Sequence, residues 1–242
     1  MSAPLFLVDQ LPSADVVTLD GPEGHHAATV QRIRPGARLI LSDGRGGVAR
    51  GEVTATGRGT VDIHVTGRDF RPKPDPALVV AQGIAKGDRG ELAVQAMTEA
   101  GADEFIPWAA ARSIAQWRGD RGHRSRQKWI STAREAAKQS RRPWLPTVAG
   151  DPDCSTAQVA ERVSRAAAAY LLHEEAGERL TTAPLPTTGE IILIIGPEGG
   201  ITDQEIVTLG KATPVRLGPE VLRTSTAGVA ALAVLATRLH RW

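Results

Sequence analysis

The chain has a single cysteine, Cys154, in 242 residues, so an internal disulfide is excluded and a reducing compartment is expected. Aromatic residues make up only 4%, which leaves Ala, Val, Leu and Ile to fill the interior. No apolar run approaches the length of a membrane span, and the opening MSAPLFLVDQLP has no basic leader before its brief apolar stretch. A cytoplasmic protein with no membrane partner is expected. Histidines do not cluster: His25 and His26 are adjacent and point apart, and His64, His123, His173 and His240 lack ligand spacing. No metal is expected.

Net charge is small overall and segregated locally. The net charge is +2, yet between Arg112 and Arg142 ten Lys/Arg face only Asp120 and Glu135. That block is +8, and the rest of the chain is −6. Such a block is either a solvated helix face or an electrostatic footprint for a polyanion, and its self-repulsion favours the second. Arg121, Arg124, Arg126, Lys128, Arg141 and Arg142 are the candidate phosphate contacts, with Arg32 and Arg34 near the N-terminus. Trp117, Trp129 and Trp144 would either stack on bases or anchor the helix.

The texture changes near residue 71. Before it, LFLV (5–8), VVTL (16–19), RLILS (38–42), VARGEV (48–53) and VDIHVT (61–66) read as short strands between glycine-rich turns. Only HHAATVQRIR (25–34) reads as a helix, so a small barrel or sandwich is expected. RDFRPKPDP, with Pro72, Pro74 and Pro76, forbids regular structure and marks the boundary between domains 1–71 and 72–242. After it, aliphatic strands alternate with helices. Strands are expected at 77–84, 104–110, 170–174, 190–196 and 214–218, and helices at 89–101, 124–140, 156–169 and 226–242. TDQE (202–205) has the pattern of a capping box. The alternation predicts an α/β domain with a parallel sheet covered on both faces.

Three strand ends in this second half carry unusual residues: YLLHEEA, IIGPEGG and RLGPEVLRTSTAG. GPEGG alone admits three readings. A phosphate loop lacks its following Lys-Ser/Thr, a dinucleotide fingerprint belongs at the start of a sheet, and a tight turn needs glycine only for geometry. Taken together, the three ends form a crevice beyond the carboxyl edge of a parallel sheet, where ligands bind. Aliphatic walls and exposed backbone, without a phosphate-binding lysine, suit a flat heterocycle.

IGPEGGITDQE followed by RLGPEVLRTSTAGVAAL resembles the signature of the RsmE family, the 16S ribosomal RNA uridine N3-methyltransferases of the SPOUT superfamily. The resemblance extends over 25–46, 85–117 and 134–142. It implies an N-terminal PUA-like RNA-binding β-barrel, a SPOUT α/β domain with a C-terminal trefoil knot, and a homodimer acting on 16S rRNA in the small ribosomal subunit. It also implies S-adenosyl-L-methionine on the backbone of Leu172 and His173, of Ile195, Gly196, Pro197, Glu198, Gly199 and Gly200, and of Leu217, Gly218 and Leu222. Arg223 and Glu198 are the candidate catalytic residues. Arg223 would offset charge on the uracil or pair with a loop carboxylate; Glu198 would take a proton or cap the next helix. Ser225 departs from the family's LR-T-E-TA, and a helix-capping or dimer-contact role is the reading that a serine can partly supply. Two other classes remain: a non-catalytic RNA-binding or ribosome-assembly factor, and a SPOUT methyltransferase with a different RNA target.

Overall fold

The computed structural model describes residues 3–242, which divide into two compact units, one of the residues up to 73 with 137–145, and one of 74–136 with 146–242.

In the first unit, β1 (Leu5–Leu7), β2 (Val16–Leu19), β3 (Arg38–Ser42), β4 (Gly47–Thr56) and β5 (Val61–Phe70) form one sheet in the order β1-β3-β4-β5-β2. The sheet curls into a half-barrel around Phe6, Leu39, Leu41, Val53, Val61 and Ile63. Alternation fixes its faces, since Val61, Ile63 and Val65 are buried while His64 and Thr66 are exposed. The helix expected at 25–34 lies earlier. It begins as α1 (Gly21–His25), with Pro22 near its start, and continues as one π-helical turn over His26–Val30. Arg32 and Arg34 therefore sit on the loop after it rather than on a helix face. Strand β5 also runs through Arg68–Phe70, because it is paired with β4 up to Phe70 opposite Gly47.

In the second unit, seven parallel strands run in the order β10-β12-β9-β11-β6-β7-β8. They are β6 (Ala77–Gly83), β7 (Glu104–Trp108), β8 (Thr147–Val148), β9 (Ala168–Leu172), β10 (Glu178–Arg179), β11 (Glu190–Ile195) and β12 (Thr213–Arg216). The central strand β11 feeds both faces. Ile191, Leu193 and Ile195 pack with α2 (Arg89–Glu99) and α6 (Thr224–Arg238), whereas Ile192 and Ile194 pack with α4 (Thr156–Arg165) and α5 (Asp203–Thr208). A strand aliphatic on both faces needs this double cover. The basic helix α3 (Gly119–Gln139) docks on the first of these faces through Trp129 and Ala133.

Several boundaries differ from the sequence expectation. Helix α4 stops at Arg165, and Ala168 and Ala169 enter β9, where they lie opposite Ile191 and Ile192 of β11. Alanine suits either element, so sheet pairing decides. Helix α6 begins at Thr224, with Arg223 as its N-cap, which places Ser225 inside the first turn rather than at the cap. The segment RPWLPTVAG, whose two prolines read as a loop, contributes β8, and β10 had no sequence signal at all.

Candidate active site

All eleven residues expected at the three strand ends line one cavity of about 710 Å³ beyond the carboxyl edges of β9, β11 and β12. His173 is held by its backbone, donating to Val215 O, and its Nδ1 accepts from Glu175 N at 3.2 Å. The Pro197–Gly200 turn closes with Gly200 N donating to Pro197 O at 2.9 Å. Gly200 has φ +77°, a conformation that side chains resist, whereas Gly199 is tight for a different reason. A Cβ at Gly199 would lie 2.7 Å from the Arg112 carbonyl oxygen.

That contact belongs to a network which the sequence reading did not find. Glu205 is only 5% exposed. Its Oε2 accepts from Thr202 N and Oγ1, completing the expected capping box of α5. Its Oε1 accepts from Ala111 N at 2.8 Å and Thr156 Oγ1 at 3.3 Å, and Thr156 in turn accepts from Trp108 Nε1. Arg112 Nη1 donates to Gly199 O at 3.3 Å. The carboxylate thus joins the segment after β7, the start of α4 and the start of α5, and Arg112, next to Ala111, reaches the glycine turn. Burial pushes the Glu205 carboxyl up, but the hydrogen bonds from Ala111, Thr202 and Thr156 outweigh it and hold the group below the ordinary glutamate value.

A second set of bonds holds the opposite wall. Gln82 is fully buried, and its Nε2 donates to Thr224 Oγ1 at 2.8 Å, which donates to Gly196 O at 2.9 Å. The ends of β6 and β11 and the start of α6 are thereby fixed together. A lone polar residue in the aliphatic run ALVVAQGI was the available signal for Gln82.

The two candidate catalytic residues have different settings. Glu198 does not cap α5, since Thr202 does; its Oε1 accepts from Lys86 N and Arg89 Nη1, each at 3.3 Å. Arg223 is exposed at the cavity, and among the described residues its guanidinium makes no ion pair. The lining balances Arg89, Arg112, Arg216 and Arg223 against Glu174, Glu175, Glu198 and Glu220.

The candidate RNA contacts separate into two groups. Arg121, Arg124 and Lys128 are exposed on α3, as are Arg141, Arg32 and Arg34 elsewhere, and Arg142 is half-buried. Arg126 departs from the expectation: it is half-buried, and its Nη2 donates to Val148 O at 2.6 Å. The tryptophans anchor structure. Trp129 is buried edge-on to Trp117 at 5.0 Å, and Trp144 Nε1 donates to Arg71 O.

Comparison with known proteins agrees with this geometry. Residues 71–236 match a family model described as an RNA methyltransferase domain, and residues 19–66 one described as an RNA methyltransferase PUA domain. The chain is 44% identical over 247 residues to ribosomal RNA small subunit methyltransferase E of Mycobacterium bovis, covering 100% of this chain and 94% of the relative. It is 30% identical over 236 residues to the protein of the same name from Bacillus subtilis, covering 93% and 91%. A crystal structure of a ribosomal RNA small subunit methyltransferase E from Neisseria gonorrhoeae, bound to S-adenosyl methionine, superposes with a TM-score of 0.84 at 24% identity and 98% coverage of both chains. With a full-length relative at this identity and a family model over most of its length, the chain belongs to the RsmE family of RNA methyltransferases.

Proposed function

We propose that this chain transfers the methyl group of S-adenosyl-L-methionine to N3 of a uridine near the 3′ end of 16S rRNA. The observation that carries the reading is the convergence of all eleven strand-end residues on one cavity. The donor's chemistry fits the site. Gly196, Gly199 and Gly200 leave stretches of wall as bare backbone, and a Cβ at Gly83 would sit 2.5 Å from Pro197 N, so β6 approaches the turn bare. Acidic and basic side chains balance, which suits a zwitterionic sulfonium and disfavours a triphosphate. When bound, S-adenosyl-L-methionine supplies an electrophilic methyl group.

The protein has two tasks at the acceptor: to place N3 in line with that methyl, and to ease loss of the imide proton. Arg223 is free to offset negative charge as it develops on the uracil oxygens. Glu198, tethered by Arg89 and Lys86, is the candidate hydrogen-bond acceptor for the base or its proton. No step requires a metal.

We assign 1–71 as the PUA-like RNA-binding domain and 72–242 as the SPOUT domain, with the polypeptide after β12 threaded as a trefoil knot. The Gln82–Thr224–Gly196 bonds support that return path. Helix α6 keeps apolar positions such as Val229, Ala230 and Val234 only half-buried, which supports a twofold homodimer across it. The setting is cytoplasmic, on RNA of the small ribosomal subunit; among the described residues no helix is long and apolar enough to cross a membrane. Titration calorimetry should show S-adenosyl-L-methionine binding and negligible ATP binding, and sedimentation at micromolar concentration should show a dimer. Tight ATP binding without S-adenosyl-L-methionine binding would overturn the assignment, and a monomer would remove the shared interface.

A further inference from the structure

Phe70 is one of three phenylalanines in the chain, and it is 63% exposed. It ends β5 opposite Gly47, and its ring stands edge-on to Trp144, with centroids 6.2 Å apart and planes at 80°. Trp144 is firmly held. Its Nε1 donates to Arg71 O at 2.8 Å, and its backbone bridges to Arg45. Gly46 lies so close that a Cβ there would be 2.8 Å from two indole carbons. One ring is therefore fixed and the other is presented to solvent against it. Such a large apolar surface gains nothing in water, and here it stands among cations. Arg45 and Arg71 are exposed beside the pair, and Arg71 Nε meets the exposed Asp69 at 3.1 Å. Arg68, by contrast, is committed to the carbonyls of Pro12, Ser13 and Ala14.

We propose that Phe70, backed by Trp144, is a stacking platform for an unpaired base of the RNA substrate, with Arg45 and Arg71 meeting the flanking phosphates. A π-face accepts any base, and neighbouring guanidinium groups track the backbone, which is how single strands are held without sequence readout. Charge decides the partner: an exposed aromatic between arginines complements a polyanion with flat faces. The inference rests on the chain acting on RNA and adds the class of segment held, a single strand.

The test uses the full-length protein and a fluorescein-labelled single-stranded RNA oligonucleotide, with a duplex of the same sequence as control. Phe70→Ala should weaken single-strand binding by about fivefold to a hundredfold. It should leave the salt slope, S-adenosyl-L-methionine affinity and sedimentation unchanged, because no charge and no cavity residue is altered. Phe70→Tyr and Phe70→Trp should restore binding. Arg45→Glu combined with Arg71→Glu should instead reduce the log–log salt slope by roughly 0.7 for each phosphate that the variant no longer neutralises. Wild-type affinity in Phe70→Ala would overturn the platform, as would an equal loss on duplex RNA or a change of association state. If the wild-type protein methylates RNA while Phe70→Ala binds normally, only the platform falls. If it neither binds nor methylates RNA, the functional reading and the platform fall together.

Discussion

Gly199 and Gly200 are neighbours with different constraints. Gly199 has the Arg112 carbonyl where a side chain would begin, while a Cβ at Gly200 would find only Arg112 Nη1 at 3.7 Å and is opposed by φ +77° instead. Gly199→Ala should therefore move the turn away from Arg112 and weaken S-adenosyl-L-methionine binding by at least tenfold in a folded protein. Gly200→Ala should act mainly through backbone strain, costing about 1–2 kcal/mol of stability with a smaller effect on affinity. Calorimetry and thermal melts on both variants separate the two; equal affinity loss without a stability difference would contradict it. Glu205 gives a pH prediction. Its carboxyl is held below the ordinary glutamate value, so its contribution is present above roughly pH 4.3 and is lost as the pH falls through the lower folded value. Glu205→Gln can still cap α5 but turns an amide toward the Ala111 N–H. It should lose about 1–3 kcal/mol near pH 7, with the gap from wild type narrowing below pH 4. A gap that stays constant with pH would contradict an ionised carboxylate. The sequence made the capping box legible because its two partners lie three residues apart. The bond to Ala111, 94 residues away, was not legible because only the tertiary fold brings the segment after β7 beside α5.

At the scale of elements, α3 shows why a charge count is not yet a surface. Arg126 lies three residues before Trp129 and four before Ile130, on the face that docks against the core, whereas Arg121, Arg124 and Lys128 follow one another on the exposed side. That phase was in the sequence, but a block of like charges conceals it. Changing Arg121, Arg124 and Lys128 to glutamate should reduce RNA affinity at low salt and flatten the salt dependence, with slopes of about −0.7 to −0.9 per phosphate neutralised. Melting temperature should stay near wild type. Arg126→Glu should behave oppositely, lowering stability through loss of the bond to Val148 O. An unchanged salt slope in the folded triple variant would make the exposed face an ordinary solvated surface. Strand β11 was legible because six consecutive residues from Glu190 to Ile195 include five aliphatics, a pattern that only a doubly covered strand explains. The α4–β9 junction was not, since its alanines satisfy helix and strand alike.

For the whole molecule, two units supply different chemistry along one chain. The second unit carries a neutral, glycine-walled cavity at three strand ends, and the first carries an aromatic pair among arginines. The same division runs through the end of the basic helix, which the sequence presents as one element at 124–140, and sets apart the segment 137–145. It belongs to the first unit, where Lys138 is buried against Glu23 at 2.8 Å and Trp144 packs on Gly46. The half-barrel, the parallel sheet and the candidate site were legible because each rests on local periodicity or on glycine at a strand end. The partition of this segment rests on tertiary contacts far apart in sequence, 115 residues for Lys138 and Glu23. The most direct test of the central claim is mass spectrometry of nucleosides from 16S rRNA, in cells lacking a ribosomal uridine N3-methyltransferase, with and without this chain. The account predicts that 3-methyluridine is absent without the chain, returns when it is expressed, and stays absent with a folded Gly199→Ala variant at limiting S-adenosyl-L-methionine. No 3-methyluridine in 16S rRNA despite expression of the folded wild-type chain would contradict it.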